Sequence, residues 1–377
     1  MDIIGERFSL KDHLFNEEKI DQISHEIKRV YPNFDTAQFK TAIMSQMLSL
    51  ELMERVYMIR DELKKYLPSQ YRVGVSILLQ SLPPEADRNK GDDDFGDFIY
   101  LPYGFYVSEY GCTEKDLIFS LAALKQLTTR FSVEGPIRSF LNTFPDETLA
   151  TLKEWALDSH YHVRRAASEG TRPLLPWAKR ISIPFQRAIP ILDQLYADPT
   201  RFVTRSVANH VNDIAKIEPA AAIALVKKWK RSKLQKPKEM DFILKHSMRS
   251  LVKGGDAKAL ALLGYVDPEI AVRNVTIDTP EVTIGESLSF SFDIVSKSKN
   301  SQQLMIDYAI HFNKANSTMK PKVYKLVKKT IEGGGVIRLA KKHPLKIMTT
   351  QKLYPGEHAL ELRINGQSFG TKSFELT

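Results

Sequence analysis

The chain has 377 residues, 43% of them hydrophobic and 26% charged, which is typical of a globular protein with room for two domains. No run of about 18 apolar residues occurs, so the sequence predicts no transmembrane helix. The opening residues include acids and lack an apolar segment, which argues against a signal peptide. The single cysteine, Cys112, excludes an intrachain disulfide, and we expect a cytoplasmic protein.

The net charge of +9 favours an anionic partner, and nucleic acid is the commonest one. The sequence contains no P-loop, no paired-glycine dinucleotide fingerprint, no CxxC and no HExxH, so these common nucleotide and metal motifs are excluded. His160 and His162 are two positions apart near a predicted helix start, and we interpret them as structural. The sequence therefore predicts neither a metal site nor a cofactor.

The first part of the chain has the periodicity of helices. Residues 1–80 form several amphipathic segments, with Ser9 and Asp35 in N-cap positions. The acidic run at residues 91–97 predicts a surface loop. Residues 100–110 are rich in aromatic side chains, which we interpret as part of a core because clustered aromatics are usually buried.

From about residue 113 to 265 the helical pattern repeats. An offset of 40 residues relates two sets of three residues, which are Asp158, Val163 and Arg165, and Asp198, Val203 and Arg205. A weaker third copy lies near residues 246–251. A period near 40 residues with two helices per unit is typical of HEAT repeats, which stack and leave a long concave surface. We predict a mainly α, HEAT-like helical repeat solenoid over residues 1–265.

The C-terminal part has a different pattern. Residues 269–377 contain short segments that alternate apolar and polar side chains, such as SLSFSFDI at residues 287–294. Turn residues separate these segments, so we predict an all-β, immunoglobulin-like sandwich at residues 268–377. Its lysines either protect exposed strand edges or contact phosphates, and they are Lys320, Lys322, Lys325, Lys328, Lys329, Lys341, Lys342 and Lys346.

Residues 152–180, which read LKEWALDSHYHVRRAASEGTRPLLPWAKR, carry the strongest functional signal. Helical periodicity places one set of small and apolar side chains on a core face, namely Val163, Ala166, Ala167 and Gly170. The same periodicity places a second set away from the core, namely Arg164, Arg165, Ser168 and Glu169. A carboxylate is thus expected among guanidiniums on an open face of the helix.

Two acids are predicted to share one concave groove. Glu169 is four residues after Arg165, so an ordinary ion pair worth about 0.3–0.5 kcal/mol is one interpretation. Asp213 lies on the equivalent helix of the next repeat, close to Glu169 in the predicted packing. Acids weaken DNA binding, so their presence in a basic groove favours catalysis or stabilisation of a cation. Trp155 is predicted to be core, whereas Trp177 follows a proline-bracketed corner and can offer its ring to a cation or base at the groove rim.

The motif ASEGTRPLLPWAKR at residues 167–180, preceded by VRR, resembles the AlkC-type bacterial DNA alkylation-repair glycosylases, which are related to the AlkD type. The opening GERFSLKDHLFN is also similar to theirs. The resemblance implies a monofunctional glycosylase that excises cationic N3-alkylated bases, chiefly 3-methyladenine and 3-methylcytosine, from double-stranded DNA. It also implies excision without flipping the base into a deep pocket. In some members an appended immunoglobulin-like domain helps to encircle DNA. We expect a monomer without a small-molecule cofactor.

The resemblance also implies roles for particular residues. The acids near the scissile bond are Glu134, Glu169 and Asp213, and Trp177 is the contact to the lesion or sugar. The residues expected to bind DNA phosphates are Arg164, Arg165, Arg172 and Arg205. The AlkD type uses a tryptophan and an aspartate in this region, but Asp158 recurs as Asp198, which favours a structural role, so we do not transfer that pair.

Two other functions are compatible with the sequence. Most helical solenoids are binding platforms, so a non-catalytic HEAT-repeat scaffold is one alternative. An alkylation-damage DNA-binding protein that does not cut is another. Release of free methylated base from alkylated DNA distinguishes a glycosylase from both.

Overall fold

A computed structural model describes residues 9–90, 95–313, 319–346 and 352–377 of the chain. Helices occupy the N-terminal part and strands the C-terminal part, so the predicted fold class is confirmed. The chain divides into two compact units, one comprising residues 1–218 and 224–247 and the other residues 219–223 and 248–377. Within the described residues, none of the helices has the length and apolar character needed to cross a membrane. The predicted loop at residues 91–97 lies partly outside the described residues.

The helices, in chain order, are α1 Leu10–Leu14, α2 Glu17–Val30, α3 Thr36–Met47, α4 Leu52–Tyr66, α5 Tyr71–Ser81, α6 Leu101–Gly111, α7 Leu117–Thr128, α8 Ile137–Thr143, α9 Pro145–Trp155, α10 Tyr161–Gly170, α11 Ile189–Leu195, α12 Arg201–Ile217, α13 Pro219–Ser232, α14 Pro237–Ser247, α15 Arg249–Gly254 and α16 Ala257–Leu262. Asp35 caps α3 as predicted, since its carboxylate accepts a hydrogen bond from the backbone N–H of Gln38 at 3.0 Å. Ser9 precedes α1 as predicted, but its side chain makes no capping hydrogen bond. The predicted aromatic core is also confirmed, because Tyr103 and Tyr106 are completely buried.

The 40-residue repeat corresponds to helices that pack in succession, α10 on α12 and α12 on α14. The two repeated aspartates each accept a hydrogen bond from the backbone N–H two residues later, Asp158 from His160 at 2.7 Å and Asp198 from Thr200 at 2.8 Å. Both therefore stabilise the turn that precedes a helix, α10 for Asp158 and α12 for Asp198. This geometry agrees with the structural role that the sequence suggested for Asp158.

The predicted position of the third repeat needs correction. The helix that packs against α12 is α14, which ends at Ser247, whereas the predicted copy places Arg249 opposite Arg205. Arg249 instead begins α15, in the second compact unit. α10, α12 and α14 begin at residues 161, 201 and 237, so the last interval is shorter and a fixed period fails there.

The strands are β1 Ile270–Ile277, β2 Glu281–Val282, β3 Ser287–Ser296, β4 Gln302–Asn313, β5 Met319–Ile331, β6 Val336–Pro344, β7 Gly356–Ile364 and β8 Gln367–Leu376. They form a three-stranded sheet, β1-β3-β6, and a five-stranded sheet, β2-β8-β7-β4-β5. All neighbours pair antiparallel except β2 and β8. Alternate residues of β3, including Phe290 and Phe292, join a buried cluster with Tyr308 of β4 and Leu360 of β7, as the alternating sequence predicts.

Lysine-rich strands lie at the edges of both sheets. β5 is the last strand of the five-stranded sheet, and β6 is the last strand of the three-stranded one. Lys325, Lys328 and Lys329 of β5 and Lys342 of β6 are exposed. The side chain of Lys320 lies outside what the structure describes. Edge placement is what protection against aggregation requires, and exposure is what phosphate contact requires, so both interpretations stay open.

Candidate functional site

A cleft with a volume of about 300 Å³ opens in the helical unit. Aromatic side chains form much of its wall, and they are Phe95, Phe98, Phe105, Phe131 and Trp177. They come from the segment before α6, from α6 itself, from the loop between α7 and α8, and from the corner that follows α10. The only carboxylate among the described lining residues is Glu134, and Ser132 lies beside it. The cleft therefore combines π faces with one acid, a combination that suits a planar cation.

Trp177 lies at the rim of this cleft, as the sequence predicts. Its side chain is 88% exposed, although tryptophan is normally among the more buried residues. Its backbone has φ of 57°, the left-handed region, which costs a bulky residue about 1–2 kcal/mol. An exposed indole on strained backbone does not stabilise the fold, so packing does not account for this position.

An alternating series of charges runs inward from the cleft, and we call it the ionic chain. Its members are Glu134, Arg165, Glu169, Arg172 and Asp213. Arg165 pairs with Glu134 at 3.4 Å and donates to the Ser132 hydroxyl, which in turn donates to Glu134. Arg172 pairs with Glu169 through Nη1 at 2.5 Å and with Asp213 through Nε at 2.9 Å.

Glu169 is ionised at neutral pH even though it is only 5% exposed. Burial by itself raises the pKa of its carboxyl, but the guanidiniums of Arg165 and Arg172 and the Ser206 hydroxyl together outweigh burial. The pKa of Glu169 therefore lies below its ordinary value of 4.5. The Ser206 hydroxyl donates to Oε2 at 2.6 Å. A carboxylate held in this form attracts cations and cannot serve as a proton donor near pH 7.

His210 lies behind the ionic chain and is completely buried. Its Nδ1 is 3.0 Å from the Ser168 carbonyl, so it links α12 to α10. Burial lowers the pKa of this imidazole to about 4, so it is neutral at physiological pH. A neutral imidazole adds no charge to the site and acts here as a packing and hydrogen-bonding group.

Helical periodicity predicts the wrong exposure for one face of α10. Arg165, Ser168 and Glu169 are not on an open surface, since they are 7%, 0% and 5% exposed. α10 packs against α12 on that side, and the hydroxyl oxygens of Ser168 and Ser206 lie within hydrogen-bond distance, at 2.9 Å. Charges that pair with one another can be buried, so a polar face is not always a solvent face.

The arginines expected at DNA phosphates divide into two groups. Arg165 and Arg172 are 7% exposed and are bound by carboxylates, which corrects the expectation that they contact phosphates. Arg164 is partly exposed but donates through Nε and Nη2 to Asp198 at 2.5 and 3.1 Å. Arg205 is half-buried on α12. For Arg164 and Arg205, phosphate binding stays a prediction.

The predicted closeness of Glu169 and Asp213 is present, because both bind the same guanidinium of Arg172. Their predicted position on an open groove is not, since Asp213 is 1% exposed. Glu134 is the acid that reaches the cleft, with 24% of its side chain exposed. Trp155 is core as predicted, at 3% exposure.

Sequence reasoning missed several parts of the site. Phe98 and Phe131 of the aromatic wall lie outside the motif at residues 152–180. No pattern in that stretch of sequence could therefore have predicted their place in the cleft. Arg138, a buried arginine of α8, donates to the backbone of the corner that carries Trp177. A lone charge between Ile137 and Phe140 in an apolar helix is the signal that could have identified it. Among the described residues, no group of three or more His, Cys, Asp or Glu side chains is placed to bind a metal ion.

Comparison with known proteins identifies the family. A family model described as DNA alkylation repair enzyme matches residues 127–251, which contain the whole ionic chain. A second family model, described as the C-terminal Ig-like domain of uncharacterised protein YhaZ, matches residues 271–377. The uncharacterized protein YhaZ of Bacillus subtilis strain 168 is 33% identical over 370 residues, covering 96% of this chain and 98% of that protein. The Pseudomonas fluorescens alkylpurine DNA glycosylase AlkC, bound to DNA containing an abasic site analog, matches with a TM-score of 0.87 and 33% identity, covering 98% of this chain and 100% of AlkC. This chain belongs to the AlkC family. The resemblance carried by the 167–180 motif is thereby confirmed over nearly the full length.

Replacement of Glu169 by Gln tests whether the buried carboxylate of this AlkC-family chain is ionised. Because the folded-state pKa is lowered, the charge stabilises the fold above pH 4.5, and this contribution disappears as the pH falls through the folded-state pKa. We expect Glu169→Gln to cost about 3 kcal/mol at pH 7, the lower end of the range for breaking a buried pair. The cost should shrink below about pH 4.5. Urea unfolding at several pH values measures it.

The control for this measurement is Glu147→Gln, which removes an exposed carboxylate of α9. It should change the free energy of unfolding little at any pH, because surface substitutions are usually nearly neutral. A cost for Glu169→Gln that stays constant between pH 7 and pH 4 would show that the carboxylate charge is not what stabilises the site.

Proposed function

We propose that this protein is a monofunctional DNA glycosylase that hydrolyses the N-glycosidic bond of cationic N3-alkylated bases, 3-methyladenine and 3-methylcytosine included. The observation that carries the proposal is the network of paired acids and arginines, with Glu169 ionised, that ends at the cleft beside the exposed Trp177. Duplex DNA as the partner is supported by the similarity to AlkC, which is bound to DNA containing an abasic site analog. No lysine lies among the described residues of the cleft, which favours water over an amine as the nucleophile.

The chemistry of the substrate explains why acids suffice. A base methylated at N3 already carries a positive charge, so it leaves without being protonated. As it departs, positive charge develops on the sugar, in the manner of an oxocarbenium ion. Ionised carboxylates stabilise that charge and orient the attacking water. Glu169, whose pKa is lowered, is suited to this electrostatic role and unsuited to general acid catalysis.

The positions of the three acids suggest that they have different roles. Glu134 lines the cleft and is partly exposed, so we assign it the direct contact with the sugar or water. Glu169 and Asp213 are buried and act through the field of the ionic chain. At the buried end of the ionic chain, Lys216 also pairs with Asp213, at 3.7 Å, so the charges there are balanced. The carboxylate of Glu134 at the other end lines the cleft, where it favours a cation.

Trp177 is the proposed contact for the lesion or its sugar. Its ring stands at the protein surface rather than in an enclosed cavity, with 88% of the side chain exposed. A π face in this position attracts a methylated, positively charged base by cation–π interaction, worth about 0.5–2 kcal/mol. Surface presentation also supports excision without flipping the base into a deep pocket.

Replacement of Glu134 by Gln should remove the charge at the cleft while keeping the size of the side chain. We expect the single-turnover rate of 3-methyladenine release to fall by about 10²-fold, the usual scale for a lost electrostatic or acid–base group. DNA affinity should stay within a few-fold of wild type, because an acid does not attract phosphate. Release of free base is followed by chromatography, and affinity by titration with an abasic-site duplex.

Glu109→Gln is the matched control, since Glu109 forms an exposed ion pair with Arg60 at 3.1 Å. This variant should excise at the wild-type rate. An unchanged rate in Glu134→Gln would remove Glu134 from the mechanism. If wild-type protein released no base from any alkylated duplex, the scaffold or damage-binding alternative would replace the glycosylase.

The β domain is proposed to add phosphate contacts. Lys325 and Lys328 are exposed on β5, and their β4 partners, Asp307 and Met305, lie on the same face of the sheet. This lysine pair can neutralise DNA phosphates and release counterions. The alternative is edge protection alone, which requires no contact with DNA.

Lys325→Gln combined with Lys328→Gln should therefore weaken DNA binding more at low salt than at high salt. The slope of log affinity against log salt should fall by about 0.9 for each phosphate that the protein no longer neutralises. Lys297→Gln combined with Lys299→Gln removes the same charge from another exposed segment of the domain and serves as control. Equal slopes for the two double variants would leave edge protection as the role of the β5 lysines.

A further inference from the structure

Arg138 of α8 is completely buried, among the core side chains of Ile137, Phe140 and Leu141. Its guanidinium donates to backbone oxygens at both ends of the corner that carries Trp177. Nη1 donates to the carbonyls of Gly170 at 3.0 Å and Arg172 at 2.8 Å, and Nε donates to the carbonyl of Lys179. One side chain thus joins the residues that enter the corner to those that leave it.

The corner depends on such contacts because residues 171–184 form neither helix nor strand. Backbone carbonyls outside regular structure need other hydrogen-bond donors. A second residue of α8, Asn142, donates to the Arg180 carbonyl at 2.9 Å and accepts from the Ser182 N–H at 2.9 Å. α8 therefore acts as the support on which the corner is held.

Burial of the Arg138 side chain costs free energy. Among the described residues no carboxylate lies within ion-pairing distance of its guanidinium, and Nη2 has no hydrogen-bond partner. Burial lowers the pKa of Arg138 to about 10, so the side chain is still charged at pH 7. A buried polar atom without a partner costs free energy that an apolar side chain avoids. Stability alone does not explain this residue.

We propose that Arg138 is a positioning residue that fixes Trp177 over the cleft for the glycosylase reaction, an inference that rests on the proposed function. The hydrogen bonds from Arg138 to both ends of the corner, which we call the clamp, hold the backbone of Trp177 at φ 57°. A tryptophan does not prefer this conformation by itself. It also binds the carbonyls of Gly170 and Arg172, which flank the Arg172 end of the ionic chain. Without the clamp the corner relaxes, and both the indole and Arg172 leave their positions.

The experiment compares Arg138→Met with a matched control. Arg55 is also completely buried and also donates to backbone carbonyls, those of Lys11 and Phe15 at 3.0 Å each. It lies near the N-terminus of the same unit and does not touch the corner. Arg55→Met therefore removes an equally buried guanidinium, one that also pairs with Asp12 at 2.6 Å.

In Arg138→Met we expect the single-turnover excision rate to fall by about 10–10²-fold, since a misplacement of about 1 Å can cost 10²-fold. The fall should approach that of Trp177→Ala, with the affinity for intact DNA within a few-fold of wild type. Arg55→Met should keep the wild-type rate per folded molecule, even where its melting temperature falls further.

A second readout needs no catalysis. The chain has three tryptophans, so 5-fluorotryptophan labelling gives three fluorine resonances, which single Trp→Phe variants assign. Arg138→Met in the full chain without DNA should shift or broaden the Trp177 resonance and leave those of Trp155 and Trp229 in place. Arg55→Met should leave the Trp177 resonance unchanged. Addition of methylguanidinium to Arg138→Ala should restore the Trp177 resonance and part of the rate.

Wild-type values for both the Trp177 resonance and the excision rate in Arg138→Met would overturn the proposal. If that variant does not fold, Arg138→Lys keeps the charge and one donor group, and it should show a smaller change in both readouts. A lysine variant identical to wild type in both would overturn the proposal as well. If wild type excises no base, the proposed function fails, while the fluorine spectra still decide whether Arg138 positions Trp177.

Discussion

The guanidinium of Arg172, held between Glu169 and Asp213, is the interaction on which the site depends. It joins the end of α10 to α12 and stands at the start of the corner that carries Trp177. All three side chains are nearly inaccessible to water, so loss of one partner leaves a buried charge uncompensated, at a cost of about 3–5 kcal/mol. The same three side chains therefore hold α10 against α12 and set the charges behind the cleft.

The proposed chemistry rests on this arrangement. The carboxylate of Glu169 is kept ionised by Arg165 and Arg172, so that group offers a negative charge and no proton. A leaving group that needs protonation gains little from such a site, whereas a base that is already cationic needs only a stabilised sugar. Trp177 and the phenylalanines of the wall add π faces, which also favour a cation.

Part of this site is predictable from sequence, for physical reasons that differ from residue to residue. The motif identifies the family because it lies in one short stretch of sequence. The 40-residue repeat predicts that α12 packs beside α10, with Asn209 opposite Glu169 and Asp213 one turn further along. Helical periodicity fails for Arg165 and Glu169, since it detects apolar faces and cannot detect charges that are buried by pairing with each other. The wall residue Phe131 and the clamp Arg138 reach the site only through tertiary packing, so no sequence window contains them together with Trp177.

Comparison of a cationic with a neutral lesion tests the electrostatic mechanism most directly. Wild-type protein is mixed in excess with duplex DNA that contains either 3-methyladenine or the neutral adduct 1,N6-ethenoadenine, and free base is quantified in a single turnover. We expect release of 3-methyladenine at a rate that does not fall as pH rises from about 6 to 8, and no enzyme-dependent release of the neutral base. Release of both bases at similar rates, or a rate that requires a protonated group in that pH range, would contradict this mechanism.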